Sequence, residues 1–403
     1  MIKQLIKIVW KQRKYNSLLL IEVLFSFVAL FILSAVCIHF WKRYQENVGI
    51  NPKNVWILEA YQANDTPPDQ VFSDSVKFEK LNTIEKFIRA SYPEVISCSK
   101  VMGSSYPYSY WMSNKMIKVN DKDILFYTSW TDAELKETLG IKLTVGRWIE
   151  ESDKLSKIES VVINEKMKKE LFGNNPAAGK IVIKKEWGDS IGKKLKILGV
   201  IANLKKDGEF SPEPNFAYYP NASKHYNYSG IAMKFAGGLS SSFEARLVKD
   251  LSAFNRTYIF RLESLEKMRK QYLIRELSPI IIVGAIVIFL IVNVMLGLFG
   301  TLWLNISRRK PEIGLRRAVG SSSTSVLLQI LGETYVLAII SMIFGLILTS
   351  QVFIFNVYNT PVSTLVQANL AAFLIILLLC TISALSPAKI AATLKPAEAL
   401  HEE

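Results

Sequence analysis

Histidine and cysteine are scarce in this chain, since each occurs only three times in 403 residues. The histidines stand at positions 39, 225 and 401, and the spacings HExxH and CxxC, which bring several ligands to one metal ion, do not occur. A GxSxG motif, which would present a nucleophilic serine, is also missing. A Ser/Lys pair stays open because both residue types are abundant, but no pattern points to one. The sequence therefore predicts no catalytic residue, no metal site and no bound cofactor.

A nucleotide-binding loop is missing as well. The nearest match is GNNPAAGK at residues 173–180, which has five residues between its glycines where a phosphate-binding loop has four. Ile181 follows the lysine, although a Ser or Thr is needed there to hold magnesium. This segment is not expected to bind ATP.

Four long apolar segments dominate what is present. They cover residues 17–40, 279–304, 325–355 and 368–386. The first three reach the length of about 20 residues that crosses a bilayer, and the fourth is shorter but uncharged. None shows the two-residue alternation of a β-barrel strand, so we expect helices. More than two hundred polar residues separate the first segment from the second. The predicted fold class is an α-helical membrane protein with four transmembrane helices and a mixed α/β extracytoplasmic domain inserted between spans 1 and 2.

The distribution of Lys and Arg predicts the orientation. Residues 1–16 carry five basic residues and no acid, and residues 305–324 carry five basic residues against one acid. Basic residues near spans favour the cytoplasmic side, so the N-terminus, this basic loop and the C-terminus are expected there. We expect a multi-pass protein of the inner (cytoplasmic) membrane. Its predicted parts are a basic N-terminus (1–16), span 1 (17–40), an external domain with a helical stalk (41–276), span 2 (279–304), a cytoplasmic loop (305–324), span 3 (325–355), span 4 (368–386) and a cytoplasmic tail (387–403).

The first segment has an alternative interpretation as a cleaved signal peptide. Its apolar core is long, and HFWKR follows at residues 39–43 in place of small residues, so an uncleaved anchor is favoured. Cys37 and Cys380 lie in predicted spans, which leaves Cys98 as the one cysteine outside. A single cysteine forms no internal disulfide, so the external domain is expected to depend on its hydrophobic core.

The net charge of +14 does not by itself indicate nucleic acid. The cytoplasmic and membrane parts carry twelve basic and six acidic residues, so they account for +6 and the external domain for the remaining +8. This division fits membrane topology and a mildly basic external face. Membrane lipid or anionic envelope polymers are therefore expected as partners, and nucleic acid is not.

The external domain has the pattern of mixed α and β structure. Residues 54–60 and 95–101 are strand-like, and residues 77–90 place apolar side chains at helical spacing between them. This order predicts a split βαβ unit. Two further buried strands are expected at residues 160–164 and 196–202, with a short helix at 164–171 after the first of these.

The two chain segments that connect this domain to the membrane are helix-favouring. Residues 263–277 are charged and run directly into span 2, with Pro279 as the one interruption, and residues 41–48 extend span 1. The pair predicts a helical stalk. The alternative is an ordinary juxtamembrane helix with solvated charges.

Two acidic residues fall in apolar segments, where an unpaired charge is costly. Glu22 lies about a turn and a half into span 1, within reach of the cytoplasmic headgroups. Glu333 lies early in span 3 and is expected either at the membrane surface or paired with Arg316 or Arg317. A proton relay would need further buried acids, and spans 2 and 4 contain none, so a coupling or anchoring role is favoured.

The basic loop has the features of a short helix. Pro311 suits the first turn, Glu312 suits the positive end of the helix dipole, and Gly320 ends the segment before the cap residues 321–324. The expected apolar face consists of Ile313, Leu315 and Val319, with Arg316 and Arg317 projecting from the other side. An amphipathic helix at the cytoplasmic surface is predicted. The alternative is a topogenic cluster of charges lying on anionic lipid.

This loop also carries a family resemblance. EIGLRRAVG at residues 312–320, with Gly332 and Glu333 in the following span, resembles the signature of FtsX-like permeases of the MacB type. The same resemblance continues in ALSPAKIAATLKPAEAL at 384–400 and, in the external domain, in LGIKLTVGRW at 139–148, VVINE at 161–165 and LFG at 171–173. Pro311 departs from the basic residue common in the family, and the first span lacks the family's frequent glycines.

The resemblance implies the permease subunit of a MacB/FtsX-type ABC transporter. Such a subunit is expected to form a homodimer, or a heterodimer with a related permease, and to work with a separate ABC ATPase subunit that hydrolyses ATP. A periplasmic adaptor with an outer-membrane channel, or another extracytoplasmic effector, is a further expected partner. By carry-over, the residues that contact the ATPase would be Glu312, Ile313, Gly314, Leu315, Arg316, Arg317 and Ala318.

In such a transporter, closure of the ATPase is passed through the cytoplasmic helix and the stalk to the external domain. The expected role is export of a peptide, antibiotic, siderophore or lipid, or release of lipoproteins. The alternative is an FtsX-like signalling subunit that activates extracytoplasmic cell-wall hydrolases. The large external domain weighs against that alternative. A membrane-anchored enzyme is disfavoured because no catalytic constellation is present.

Overall fold

The computed structural model describes residues 13–63, 67, 71–109, 111–119, 122–186, 191–221, 228–355 and 360–393. His225, His401, most of the predicted basic N-terminus and the end of the predicted cytoplasmic tail lie outside these residues. The chain divides into two compact units. One unit is Arg43–Glu276, and the other combines Met1–Lys42 with Leu277–Glu403.

The chain passes from the first membrane helix into the Arg43–Glu276 unit and then returns to the membrane helices. The helices are α1 (Arg13–Gln45), α2 (Asp74–Ser91), α3 (Leu135–Leu139), α4 (Glu165–Phe172), α5 (Ser241–Phe254), α6 (Leu265–Arg308), α7 (Lys310–Ala318), α8 (Ser323–Ile354) and α9 (Val362–Thr393). The strands are β1 (Val55–Tyr61), β2 (Val95–Val101), β3 (Asn114–Val119), β4 (Lys122–Thr131), β5 (Leu143–Gly146), β6 (Glu159–Asn164), β7 (Ile181–Glu186), β8 (Lys193–Ile201), β9 (Phe216–Pro220), β10 (Gly230–Phe235) and β11 (Ile259–Ser264).

Four helices in the described part of the chain are long and apolar enough to cross a membrane. They are α1, α6, α8 and α9. The longest, α6, has 44 residues and continues through Pro279 without a break. At 1.5 Å per residue it is about 65 Å long, roughly twice the thickness of a bilayer core. Its first twelve residues belong to the Arg43–Glu276 unit, so one continuous helix joins both units.

The four membrane helices share one apolar core. Phe27 of α1, Val294 of α6, Met342 of α8 and Ile376 of α9 are all buried in it. Hydrogen bonds between side chains add specific contacts. Tyr335 and Thr381 have hydroxyl oxygens 2.7 Å apart, and Thr349 donates to Asn369 Oδ1 over 3.0 Å, so α8 is fastened to α9 at two levels.

Gly345 of α8 lets α1 approach closely. A Cβ atom on Gly345 would lie 2.4 Å from Cδ1 of the fully buried Phe27. We therefore expect Gly345→Ala to lower the free energy of unfolding of the detergent-solubilised protein by about 1–3 kcal/mol, because the Phe27 ring must shift within a packed core. The melting temperature should fall accordingly. The matched control is Gly284→Ala in α6, where a Cβ would meet nothing within 4 Å. Equal melting temperatures for the two variants would contradict this packing.

In the Arg43–Glu276 unit, four antiparallel strands form a sheet in the order β11-β1-β10-β2. The connections are β1–α2–β2 and β10–α5–β11, so the chain makes two split βαβ units. The split βαβ unit predicted from residues 54–101 is confirmed. Leu81 and Ile84 of α2 and Leu247 of α5 pack in the core beside this sheet.

A second sheet is inserted between β2 and β10. Its order is β5-β8-β6-β9-β4-β3-β7, and an additional pairing of β7 with β8 closes six of the strands into a ring, which we call the barrel. The strands predicted at 160–164 and 196–202 are β6 and β8. The helix predicted after the first of them is α4, and Asn164 caps it by accepting a hydrogen bond from the Met167 amide over 3.1 Å.

Candidate functional site

The short helix expected in the basic loop is present as α7. Pro311 lies in its first turn with Glu312, and the chain leaves it through Gly320, whose φ of +101° favours glycine. Ser322 then caps α8, because its hydroxyl accepts a hydrogen bond from the Ser325 amide over 3.2 Å. The helix therefore sits between the end of α6 and the start of α8.

One apolar side chain anchors α7. Ile313 is only 7% exposed, and the neighbouring Gly314 is also buried. Ile313 belongs to a cluster built from three membrane helices, whose other buried members are Leu302, Ile306, Val326, Ile330, Ala384, Ala388 and Ala391. Three alanines on α9 leave room for this cluster to form. The buried face of α7 thus touches the bundle and fixes the position of the helix.

The predicted apolar face of α7 is partly wrong. Leu315 is 57% exposed and Val319 is 82% exposed, so neither joins Ile313 in the core. The reason is angular: each residue turns about 100° around a helix, so Leu315 lies some 200° from Ile313. Leu315 instead shares the outer side of α7 with the exposed Pro311 and Ala318. We call Pro311, Leu315, Ala318 and Val319 the outer apolar face.

A pair of buried charges ties α7 to α8. Arg309, the residue directly before α7, places Nη1 2.9 Å and 3.2 Å from the two carboxylate oxygens of Glu333. The two side chains are 16% and 14% exposed, so the pair is largely shielded from solvent. Glu333 was expected at the surface or paired with Arg316 or Arg317. Its direct ionic partner is Arg309.

Three more polar residues extend this pair into a network. Gln329 donates to Glu333 over 3.0 Å and accepts from Arg316 over 2.8 Å. Arg316 also contacts Glu312 at 2.6 Å, and Glu312 lies 3.3 Å from Arg309. Arg316 is exposed on α7, as expected, and its guanidinium contacts both Glu312 on the same helix and Gln329 on α8. We call Arg309, Glu312, Arg316, Gln329 and Glu333 the latch.

Arg317 serves the exit from α7. It is half-buried, and its Nη1 donates to the Ser321 carbonyl over 3.2 Å. A cation near the C-terminal end of a helix also interacts favourably with the last carbonyls. Arg317 therefore stabilises the turn that leads from α7 into α8.

Comparison with protein families covers both parts of the molecule. Residues 23–249 match the model of the MacB-like periplasmic core domain, and residues 284–396 match the model of the FtsX-like permease C-terminal region. The first match alone spans more than half of the chain. This chain belongs to the MacB/FtsX-like permease family. It is a multi-pass membrane protein whose mixed α/β extracytoplasmic domain lies between span 1 and the other three spans.

Similar curated proteins are macrolide exporters by name. The macrolide export ATP-binding/permease protein MacB 1/2 of Paracoccus denitrificans is 24% identical over 289 residues, which cover 70% of this chain and 41% of that protein. MacB of Neisseria gonorrhoeae is 24% identical over 279 residues, which cover 66% and 42%. The chain matches only about two fifths of the length of these relatives.

Comparison with solved structures gives two domains from outside the cytoplasm among its matches. The periplasmic region of MacB from Actinobacillus actinomycetemcomitans matches with a TM-score of 0.38 and 17% identity, over 57% of this chain and 96% of that one. The extracellular domain of the noncanonic ABC-type transporter YknZ from Gram-positive bacteria matches with a TM-score of 0.35 and 14% identity, over 52% and 100%.

The second predicted acid, Glu22, lies apart from the latch. It is half-buried on α1 and faces α6, where a Cβ on Gly297 would lie 2.5 Å from Glu22 Oε2. Among the described residues, no hydrogen bond or ion pair joins Glu22 to the latch. The structure thus brings Glu333 together with Glu312 and Arg316, and it leaves Glu22 elsewhere in the bundle.

Two latch residues were missed by sequence reasoning. Arg309 lies just outside the EIGLRRAVG segment, and Gln329 lies on a separate helix. The available signal was the spacing of Arg309 and Glu312, since residues three apart face each other on a helix. In the described part of the chain, no group of three or more His, Cys, Asp or Glu residues is arranged to hold a metal ion.

Proposed function

We propose that this family member is the permease subunit of an ABC transporter whose ATPase is a separate polypeptide. The observation that carries the proposal is a short helix with an exposed apolar outer face, fastened to the membrane bundle by the latch. The curated relatives combine ATP-binding and permease functions by name. The 403 residues here contain no Walker motif, so another segment or chain must supply the nucleotide site.

The outer apolar face is the proposed contact with the ATPase. A contiguous patch of exposed apolar side chains is typical of a surface that binds a partner. Leu315 and Ala318 would insert between the subunits, with Glu312 and Arg316 at the rim of the contact. Ile313 and Gly314 are buried, so their proposed role is to hold the helix in place. Arg317 would act on the turn behind it.

Two routes would carry movement of α7 into the rest of the molecule. The latch and Ile313 fasten α7 to α8, so α8 would follow a displacement of α7. Arg309 directly follows the last residue of α6, and α6 continues without a break to Leu265 in the extracytoplasmic domain. A rigid helix transmits displacement over its whole length, which is the physical requirement for coupling between distant sites.

We further propose the cellular setting. The chain would lie in the inner membrane with both ends and α7 in the cytoplasm, following the positive-inside bias. It would form a homodimer or a heterodimer with a related permease, and its external domain would engage a periplasmic adaptor or another effector. Export is favoured over activation of a cell-wall hydrolase, because the curated relatives that match this chain are named as macrolide exporters.

The test is a nucleotide-dependent movement on the far side of the membrane. A spin label on Leu155→Cys, which is 89% exposed in the external domain, would report distances between two copies in lipid nanodiscs with the ATPase bound. The exposed Cys37 is replaced by Ser to prevent background labelling. We expect ATP to change the distance distribution in wild type. A distribution that stays constant while the bound ATPase hydrolyses ATP would contradict the proposal.

A further inference from the structure

A loop between β8 and β9 of the extracytoplasmic unit contains three fully buried charged side chains. Lys206 is 1% exposed and donates to the Ser109 carbonyl, and the other two contact the segments that connect the domain to the membrane helices. Lys205 is 0% exposed and Glu209 is 1% exposed. Burying a charge is costly unless it is paired and hydrogen-bonded, so the contacts of these side chains indicate what holds the loop together. The loop covers residues 203–211, and we call it the joint.

Lys205 binds the segment that enters the domain from α1. Its ammonium nitrogen lies 2.7 Å from the Arg43 carbonyl oxygen and 2.7 Å from Glu46 Oε2. Its own backbone amide donates to the Val48 carbonyl over 2.9 Å. A third bond of the ammonium, to the Glu209 carbonyl over 2.8 Å, closes the joint upon itself. Lys205 therefore uses all three of its donors, two of them on the entering segment.

Glu209 binds the segment that leaves the domain through α6. Its Oε1 accepts from Arg269 Nε over 2.5 Å and from the Tyr108 hydroxyl over 3.0 Å. Tyr272, one turn further along α6, lies directly on Gly208, where a Cβ would come within 2.3 Å of Tyr272 Cε1. Gly208 has a φ of +81°, so both its backbone and its lack of a side chain are needed here.

Lys205 and Glu209 contact two different segments of the chain, but both residues lie in the same short loop. Lys205 and Glu209 are four residues apart, and β8 of the barrel ends only four residues before Lys205. The segments that adjoin the membrane on either side of the domain are thus linked to each other and to the barrel through the joint. Because each of these buried charges has its own ionic partner on one segment, sliding of either segment would leave a buried charge unpaired.

We propose that the joint makes both membrane-adjoining segments move as one body and passes their movement to the barrel, with Lys205 and Glu209 as its positioning residues. This inference rests on the proposed transport function. A direct consequence is that neutralising Glu209 should separate ATP hydrolysis from movement of the domain. The ATPase contact at α7 involves none of these residues.

The experiment uses the nanodisc complex with the Leu155→Cys label. We expect Glu209→Gln to lose the ATP-dependent distance change. ATP hydrolysis should stay within about twofold of wild type, which corresponds to a change in activation free energy below about 0.5 kcal/mol. The matched control is Glu94→Gln, an exposed acid in the same domain, which should keep both properties. A second variant, Arg269→Gln, removes the partner of Glu209 on α6 and should give the same loss. Glu209→Gln is the variant whose folding is less at risk, because the arginine that it leaves unpaired is 38% exposed.

The possible results distinguish failure of the joint from failure of the proposed transport function. If wild type shows no distance change, the proposed transport function fails, and the inference about the joint, which rests on it, fails with it. If wild type and Glu94→Gln respond while Glu209→Gln and Arg269→Gln do not, with unchanged thermal unfolding for at least one of them, the joint is supported. If both variants respond like wild type, the joint is overturned.

Discussion

The double replacement Leu315→Asp with Val319→Asp is expected to abolish co-purification of the ATPase with this chain. Both side chains are more than half exposed, so the substitutions should leave the fold intact. In the proposed complex, however, each aspartate would have to lose its water within an apolar contact. An unpaired buried charge costs several kcal/mol, so we expect binding to fall by at least about a hundredfold.

The measurement is the amount of ATPase activity retained on affinity-purified, detergent-solubilised protein. Leu155→Asp is the matched control, because Leu155 is similarly exposed but belongs to the extracytoplasmic unit. The control should bind like wild type. Full retention of ATPase by the Leu315/Val319 variant would place the contact elsewhere. A charge swap of Glu312 and Arg316 would be less informative, since the two lie 2.6 Å apart and the swapped residues could still pair.

Breaking the latch should have the second large effect. Arg309→Met leaves the Glu333 carboxylate without its ionic partner, in surroundings where it is 14% exposed. Removing one member of a buried pair typically costs about 3–5 kcal/mol, and partial exposure here places the expected loss near the lower figure. The ATPase should still bind through the outer apolar face, but its hydrolysis should no longer move the extracytoplasmic domain.

The double variant Arg309→Met with Glu333→Met distinguishes stability from coupling. It leaves no unpaired charge, so we expect it to recover most of the lost thermal stability. It also lacks the tie between α7 and α8, so we expect the ATP-dependent distance change to stay absent. Gln329→Ala, which removes the bridge from Arg316 to Glu333, should give an intermediate result. If the Arg309→Met variant couples normally, the latch is not part of the transmission route.

The membrane helices and the first split βαβ unit were accessible from the sequence because each depends on local pattern. Long apolar runs specify spans, and residues 54–101 alternate between strand and helix periodicity. Closure of the barrel could not be predicted from the sequence. It depends on β7 pairing with both β3 and β8, and β3 lies more than sixty residues before β7. Local periodicity carries no information about such pairings.

The candidate site was predictable in position and less so in detail. EIGLRRAVG located α7, but the side chains that hold it, Arg309 and Glu333, are 24 residues apart and meet only through packing of two helices. Helix geometry explains why Leu315 is exposed. The error was to place Leu315 on the same face as Ile313, because residues two positions apart lie on opposite sides of a helix. Nothing in the local sequence distinguishes Lys205 from an ordinary surface lysine. Only the fold buries it, 2.7 Å from Glu46.

Site-specific photo-crosslinking tests the central claim most directly. A photoreactive phenylalanine analogue at Val319, which is 82% exposed on the outer apolar face, would be activated in cells that carry this chain naturally, with the same analogue at Leu155 as control. We predict a crosslinked product at position 319 that contains an ABC ATPase, and none with the ATPase at position 155. Crosslinks from position 319 to lipid or to unrelated proteins alone would contradict the claim that α7 is the contact through which an ATPase drives this permease.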